Sequence, residues 1–182
     1  MKNFVELFIK YRSSVGIVCL IIVLYLSQPT AKSITIGFFF ILGGIFFRAW
    51  SSGYINKDNA LAKDGPYALT KNPLYFGNFI LGLGIAISGN TIFTFLIFLI
   101  YYLVYFPFLM VLEHRRMRKR FGEEYEEWSK QSNSFFPKIK LIRNMNFNIS
   151  YYMKNREYRV LYFSLFVVAI LILKYLRLIR TG

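Results

Sequence analysis

Two short polar runs border apolar stretches, and they hold most of the residues able to do chemistry. The first is GPYALTKNPLYFGN, residues 65–78. Gly65-Pro66 marks a turn, and Asn72-Pro73 biases Asn72 away from helix. Pro73 then suits the first turn of a helix whose free N–H groups can hold an anion, with Lys71 as a cation beside them. The second run starts at Glu113 and His114, where an apolar stretch ends, and continues to Tyr125 and Trp128 at i, i+3 spacing. A carboxylate at the end of an apolar span, beside Arg115 and Arg116, is either paired or used. The other residues also have plainer readings. Lys71 can meet anionic headgroups, Asn72 can cap a helix, and Tyr67, Tyr75 and Trp128 can be interfacial aromatics. His114 can be a satisfied interfacial group, and Arg48 can snorkel to the interface or be recruited by a cytoplasmic site.

Several other chemistries find no support. One cysteine, Cys19, forms no disulfide framework, and with one histidine, His114, a multi-histidine metal site does not arise within the chain. The expectation is no metal. There is no G-x-S-x-G, H-E-x-x-H or P-loop, and the GLG at residues 82–84 lies inside an apolar run. Ionisable groups inside the apolar runs are few, which disfavours an ion-coupled transport path.

The elements that position these residues follow from composition. The chain has 182 residues, 55% of them apolar and 20% aromatic, and a mean hydropathy of +0.40. A soluble domain of this size cannot bury 20 Phe, 14 Tyr and 2 Trp, so much of the chain faces lipid. The fold class expected is all-α integral membrane, with about five transmembrane helices. The spans run over 13–27, 34–50, 74–88, 91–112 and 160–176. The first has basic flanks like a signal peptide, but no A-x-A-like site follows it and further spans do, so it reads as an anchor. The third is short, about 22 Å at 1.5 Å per residue, and Gly89-Asn90 joins it to the fourth as a helical hairpin. Gly77, Gly82 and Gly84 permit close helix approach there. Pro107 predicts a kink in the fourth span, and Lys174 can snorkel in the fifth.

Charge gives the orientation. The net charge of +14 fits either nucleic acid or an anionic membrane face, and the apolar runs favour the membrane, with no nucleic-acid partner. With the N-terminus inside, nineteen of the 23 Lys and Arg fall on the cytoplasmic side. Lys32, Lys174, Arg177 and Arg180 fall on the other. The two connecting segments, 51–73 and 113–158, are therefore cytoplasmic. The second opens with EHRRMRKRFGEEYEEWSKQ, a helical pattern interrupted by Gly122.

Taken in order, Gly65-Pro66-Tyr67, Lys71-Asn72-Pro73-Leu74-Tyr75-Phe76-Gly77, Glu113-His114, Phe121-Gly122-Glu123-Glu124-Tyr125, Trp128 and Phe135-Phe136-Pro137 form a pattern. It resembles the isoprenylcysteine carboxyl methyltransferase family of integral-membrane lipid methyltransferases. The resemblance covers about residues 48–137. It implies S-adenosylmethionine as cofactor and a lipid-like acceptor entering from the bilayer, either a prenylcysteine-like carboxylate or a related isoprenoid or phospholipid. It implies Lys71 and Glu113 as catalytic, and Asn72, Leu74, Tyr75, Gly77, Glu113, His114 and Tyr125 around the cofactor. Three positions depart from the family pattern: Lys71 replaces arginine, Asn72 stands where histidine is common, and His114 replaces a second glutamate. Lysine keeps the charge but loses the bidentate fork, which touches acceptor recognition more than cofactor binding.

The expected organisation is one membrane domain over 1–182. It has a methyltransferase-like core at 48–137 and a C-terminal extension at 138–182 that carries the fifth span. The expected location is a bacterial or archaeal plasma membrane, with the active site facing the cytoplasm. A non-enzymatic lipid-binding or transporter accessory protein is the alternative. A sterol-reductase-like reading needs a longer chain.

Overall fold

A computed structural model describes residues 2–55, 60–138 and 146–181. Lys57, Lys140 and Arg143, and the side chains of Lys2, Lys10 and Arg12, lie outside what it describes. The described chain is helical, with no strands and one isolated bridge between Thr70 and Asn133. Its helices are α1 (Lys2–Leu26), α2 (Ala31–Ser52), α3 (Pro73–Gly89), α4 (Ile92–Gln131), α5 (Ile149–Lys154) and α6 (Tyr158–Thr181). A single 3-10 turn, Gly65–Ala68, precedes α3.

Three helices, α2, α4 and α6, are long and apolar enough to cross a membrane. The apolar part of α1, Ser14–Leu26, and the whole of α3 are shorter. The 17 residues of α3 reach about 26 Å, against a hydrocarbon core of roughly 30 Å.

The helix ends are built by local chemistry. Thr30 and Ser33 form a reciprocal capping box at the start of α2, and Thr91 and Thr94 form another at the start of α4. Between α3 and α4, Asn90 takes the left-handed conformation at φ 55°, which asparagine tolerates better than most residues. The α1–α2 turn meets the α3–α4 turn through Gln28 N–H to Gly89 O at 2.8 Å. Lys174 of α6 reaches the same end, where its ammonium donates to the Leu24 and Tyr25 carbonyls at 2.8 and 2.6 Å. The lysine that could snorkel to the interface instead caps the C-terminus of α1, where a cation meets the negative end of the helix dipole.

Glycines set the tightest contact, and it lies between α2 and α3. Gly37 and Gly44 stand seven residues apart on α2, as do Gly77 and Gly84 on α3. A Cβ at Gly84 would lie 2.6 Å from the Gly37 carbonyl, and one at Gly44 would lie 2.8 Å from the Gly77 carbonyl. The two helices therefore touch backbone to backbone and run antiparallel. Of Gly77, Gly82 and Gly84, Gly82 alone faces α4, against the Tyr102 hydroxyl. The glycine seam thus lies mainly outside the hairpin where the sequence suggested it. Apolar packing completes the core at Val23, Ile41, Ile85, Val167 and Leu171.

This seam makes a sharp prediction. A Cβ at Gly37 would sit 2.0 Å from Ser88 Oγ and 2.4 Å from the Gly84 carbonyl. Gly37→Ala should cost roughly 1–3 kcal/mol or more, since backbone cannot step aside cheaply. Gly43→Ala, on the same helix, meets only Ile80 Cγ2 at 3.8 Å and should be neutral or stabilising. Thermal melting of the two variants in detergent checks the contrast.

Candidate active site

The stretch before α3 is held from behind by the chain after α4. Lys71 N–H donates to the Asn133 carbonyl at 2.8 Å, and Lys138 N–H donates to the Leu69 carbonyl at 2.9 Å. Thr70, fully buried, donates its hydroxyl to the Phe135 carbonyl at 2.9 Å. Asn72 does not cap α3 through its side chain. Its amide donates instead to the Ser134 carbonyl at 2.7 Å. Phe135 packs edge-on against Phe76 and Phe79, with ring centroids 5.7 and 5.6 Å apart. Motifs some sixty residues apart thus become one bracket that fixes where Lys71 emerges.

A second bracket comes from α4. The backbone keeps helical dihedrals through Pro107 and leaves them at Gly122, with φ 54° and ψ −130°. The interruption of the helical pattern expected at Gly122 is found there. Glycine adopts this conformation freely, whereas an L side chain is strained there. In a straight helix, eleven residues span about 16 Å. His114 Nδ1 and the Tyr125 hydroxyl nevertheless lie 3.0 Å apart, because the chain turns back at Gly122. Arg118 pairs with Glu126 across the same bend. Tyr125 and Trp128 share a face, with rings 5.5 Å apart.

Between the brackets lies a cavity of about 840 Å³, within the range of small-molecule sites. Lys71, Asn72, Leu74, Tyr75, Glu113 and Tyr125 all line it. Two residues expected around the cofactor do not. Gly77 is buried against α2, where a Cβ would lie 2.7 Å from Arg48 Cγ. His114 is exposed, and its Nδ1 meets the hydroxyl of Tyr125, which does line the cavity.

Charge is divided along the wall. Lys71, Arg116 and Arg120 line the cavity as cations, and Glu113 lines it as an anion. Among the described residues, neither Lys71 nor Glu113 has a hydrogen bond or ion pair through its charged group. Partial burial, and then the neighbouring Lys138, lower the Lys71 pKa below that of an ordinary lysine. Burial, followed by the fields of Glu113 and Glu157, raises the Tyr67 pKa and keeps its phenol protonated. Burial and Glu113 raise the Tyr125 pKa in the same way.

The wall also contains Arg48, for which the sequence left both the interface and a cytoplasmic site open, and whose partner it did not show. Arg48 does not snorkel. Its side chain is 13% exposed and paired with Glu157, itself 9% exposed. Arg48 Nε donates to Glu157 Oε1 at 2.6 Å, and Nη1 donates to Asn78 Oδ1 at 2.6 Å. The one available signal was that Glu157 is the sole acidic residue from 128 to 182 and directly precedes the last apolar run.

The sequence profile of the phospholipid methyltransferase family matches residues 11–124, more than half of the chain. The chain belongs to the phospholipid methyltransferase family. Among curated relatives of this family member, the protein-S-isoprenylcysteine O-methyltransferase of Schizosaccharomyces pombe is 35% identical over 85 residues. That alignment covers 46% of this chain and 36% of the relative, and it bears out the family resemblance read from the motifs. The cobalt-zinc-cadmium resistance protein CzcN of Cupriavidus metallidurans is 33% identical over 128 residues, covering 66% of this chain and 58% of the relative. The nickel-cobalt-cadmium resistance protein NccN of Alcaligenes xylosoxydans xylosoxydans is 25% identical over 117 residues, covering 63% and 54%. The chain thus spans about half the length of these two relatives and about a third of the yeast one. No solved structure matches it.

Proposed function

We propose that the protein is a membrane-embedded methyltransferase that uses S-adenosylmethionine and acts on a lipidic acceptor, most simply a carboxylate. The observation that carries this reading is the meeting of the Lys71 and Glu113 motifs on one cavity, in a chain of the phospholipid methyltransferase family. The core at 48–137 supplies most of the wall, and the extension at 138–182 supplies the partner of Arg48.

The donor set suits the cofactor. The Glu113 carboxylate, without an ion-pair partner among the described residues, faces the cavity, and Tyr75, Tyr125 and Trp128 add aromatic surface that favours a cation. The first N–H groups of α3 favour a carboxylate. Glu113 would accept from the cofactor ammonium, and Leu74 and Asn72 would flank it at the α3 start. S-Adenosylmethionine supplies a sulfonium methyl: an acceptor oxygen pair forms the O–CH3 bond while the S–CH3 pair returns to sulfur, leaving an ester and a neutral thioether. Lys71 orients the acceptor carboxylate, and the apolar walls exclude water. No base is needed for a carboxylate. An amine acceptor would have to lose a proton, and Glu113 or His114 would take it.

A second reading, a non-enzymatic accessory membrane protein, draws support from the two relatives named for metal resistance. Equilibrium binding of labelled S-adenosylmethionine to the detergent-purified chain separates the two. Saturable binding at one site per chain is expected. Absence of binding leaves only the accessory reading.

The reading also includes five crossings, with the cavity facing the cytoplasm. The support is the basic bias and the placing of the α1–α2 and α3–α4 turns together, opposite the cavity. A Cys19→Ser, Asn90→Cys variant should react with an impermeant thiol reagent only from the non-cytoplasmic side. Labelling from the cytoplasmic side alone would contradict the orientation.

A further inference from the structure

We propose that Glu157, in the C-terminal extension, is a positioning residue of this site. It holds Arg48 in the cavity wall as an oriented pair of N–H donors whose charge is cancelled. The inference rests on the function proposed above. Glu157 lies beyond the residues matched by the family profile, which end at 124.

Four observations carry it. First, a guanidinium has five N–H donors. Nε and Nη2 of Arg48 meet Glu157, and Nη1 meets Asn78, so two N–H bonds are left over on a side chain that lines the cavity. Second, the pair is almost dry, at 13% and 9% exposure, so Glu157 screens the Arg48 charge far better than water-exposed pairing would. Third, the segment bearing Glu157 is anchored to the end of α2, close to Arg48. The Asn155 amide donates to the Ser52 and Ile55 carbonyls at 3.0 and 3.2 Å, and Asn148 N–H donates to the Gly53 carbonyl at 3.1 Å. Fourth, the preceding residue, Arg156, stands at φ 55°. A non-glycine residue is held there only when its surroundings demand it, and such strain gathers at functional sites.

The chemistry explains why a cancelled charge suits this site. An acceptor carboxylate loses its charge as its oxygen takes the methyl. Each full cation touching the carboxylate therefore stabilises the ground state more than the transition state. Lys71 is enough to draw the carboxylate in. Arg48 can fix its angle through two N–H bonds without adding a second cation.

The test uses the full-length protein in detergent, with farnesylcysteine carboxylate and its methyl ester as probes. Glu157→Gln keeps the shape and an oxygen acceptor for Nε but uncovers the Arg48 charge. It should tighten carboxylate binding about tenfold while leaving ester binding unchanged, and should slow single-turnover transfer about tenfold. A merely structural residue would not give tighter binding with slower transfer. Glu157→Asp, which keeps the charge, should stay near wild type. The neutral pair Arg48→Gln, Glu157→Gln buries no lone charge, so it remains testable even if Glu157→Gln does not fold. It should keep the carboxylate-to-ester affinity ratio within about twofold of wild type. An unchanged ratio in Glu157→Gln, a shifted ratio in the neutral pair, or no binding of either probe to wild type would each overturn the inference. Failure of the methyltransferase reading shows separately, as absence of S-adenosylmethionine binding, and leaves the affinity ratio interpretable.

Discussion

Lys71→Ala should cut single-turnover methyl transfer at subsaturating carboxylate lipid by about tenfold to a hundredfold, through weaker acceptor binding, and leave S-adenosylmethionine affinity within about twofold. The size follows from a lost charge-assisted hydrogen bond, worth roughly 1.5–3 kcal/mol. The selectivity follows from position. Lys71 emerges from the bracket made by Asn133 and Phe135, and its ammonium has no partner among the described residues. Lys71→Arg should keep activity, and raise it on a prenylcysteine by restoring the fork. Burial and Lys138 lower the Lys71 pKa, so its proton is lost at lower pH than from a free lysine. Activity should therefore decline on the alkaline side below pH 10.5, and Lys71→Arg should move that decline upward. The linked stability runs the other way: a charged form disfavoured by folding makes the fold gain stability as pH rises towards the unfolded lysine value. If the acceptor is an amine, removing this cation does not slow transfer. Full activity of Lys71→Ala on a carboxylate lipid contradicts its assigned role.

Glu113→Gln should weaken S-adenosylmethionine binding about tenfold or more. The carboxylate faces the cavity without an ion-pair partner among the described residues, so the ammonium of the cofactor has no competitor for it. Replacing it by an amide removes the charge and keeps the volume, so the loss reads the charge-assisted bond alone. Calorimetry with the purified variant measures it, and unchanged affinity removes Glu113 from the cofactor site. His114→Ala should have the smaller effect, because its ring meets the Tyr125 hydroxyl and does not line the cavity.

The parts of the fold legible in the sequence are those written locally. Gly89-Asn90 announces the hairpin turn, because few residues accept the left-handed conformation that Asn90 adopts. The short α3, the all-helical class and the polar clusters before α3 and after the apolar part of α4 follow from apolar run lengths. The two clusters share a cavity, which motif order suggested. What stayed hidden depends on neighbours. Spacing shows which face of a helix is small, not which helix meets it, so the seven-residue match of Gly37 and Gly44 to Gly84 and Gly77 is visible only once the helices are paired. Gly122 announced an interruption of the pattern, but not that the chain turns back far enough to bring Tyr125 to His114. The Arg48–Glu157 pair joins residues 109 positions apart, and no local rule connects them. Gly77 shows the packing role that its place among the small residues suggested, although its partner helix is α2.

The most direct measurement is single-turnover transfer of labelled methyl from S-adenosylmethionine by the full-length protein in detergent, with a farnesylcysteine carboxylate and an ethanolamine phospholipid compared as acceptors. The account predicts label in a base-labile ester of the carboxylate lipid, reduced at subsaturating lipid in Lys71→Ala and slowed in Glu113→Gln. Label in neither lipid, with wild type folded and both acceptors present in excess, would contradict it.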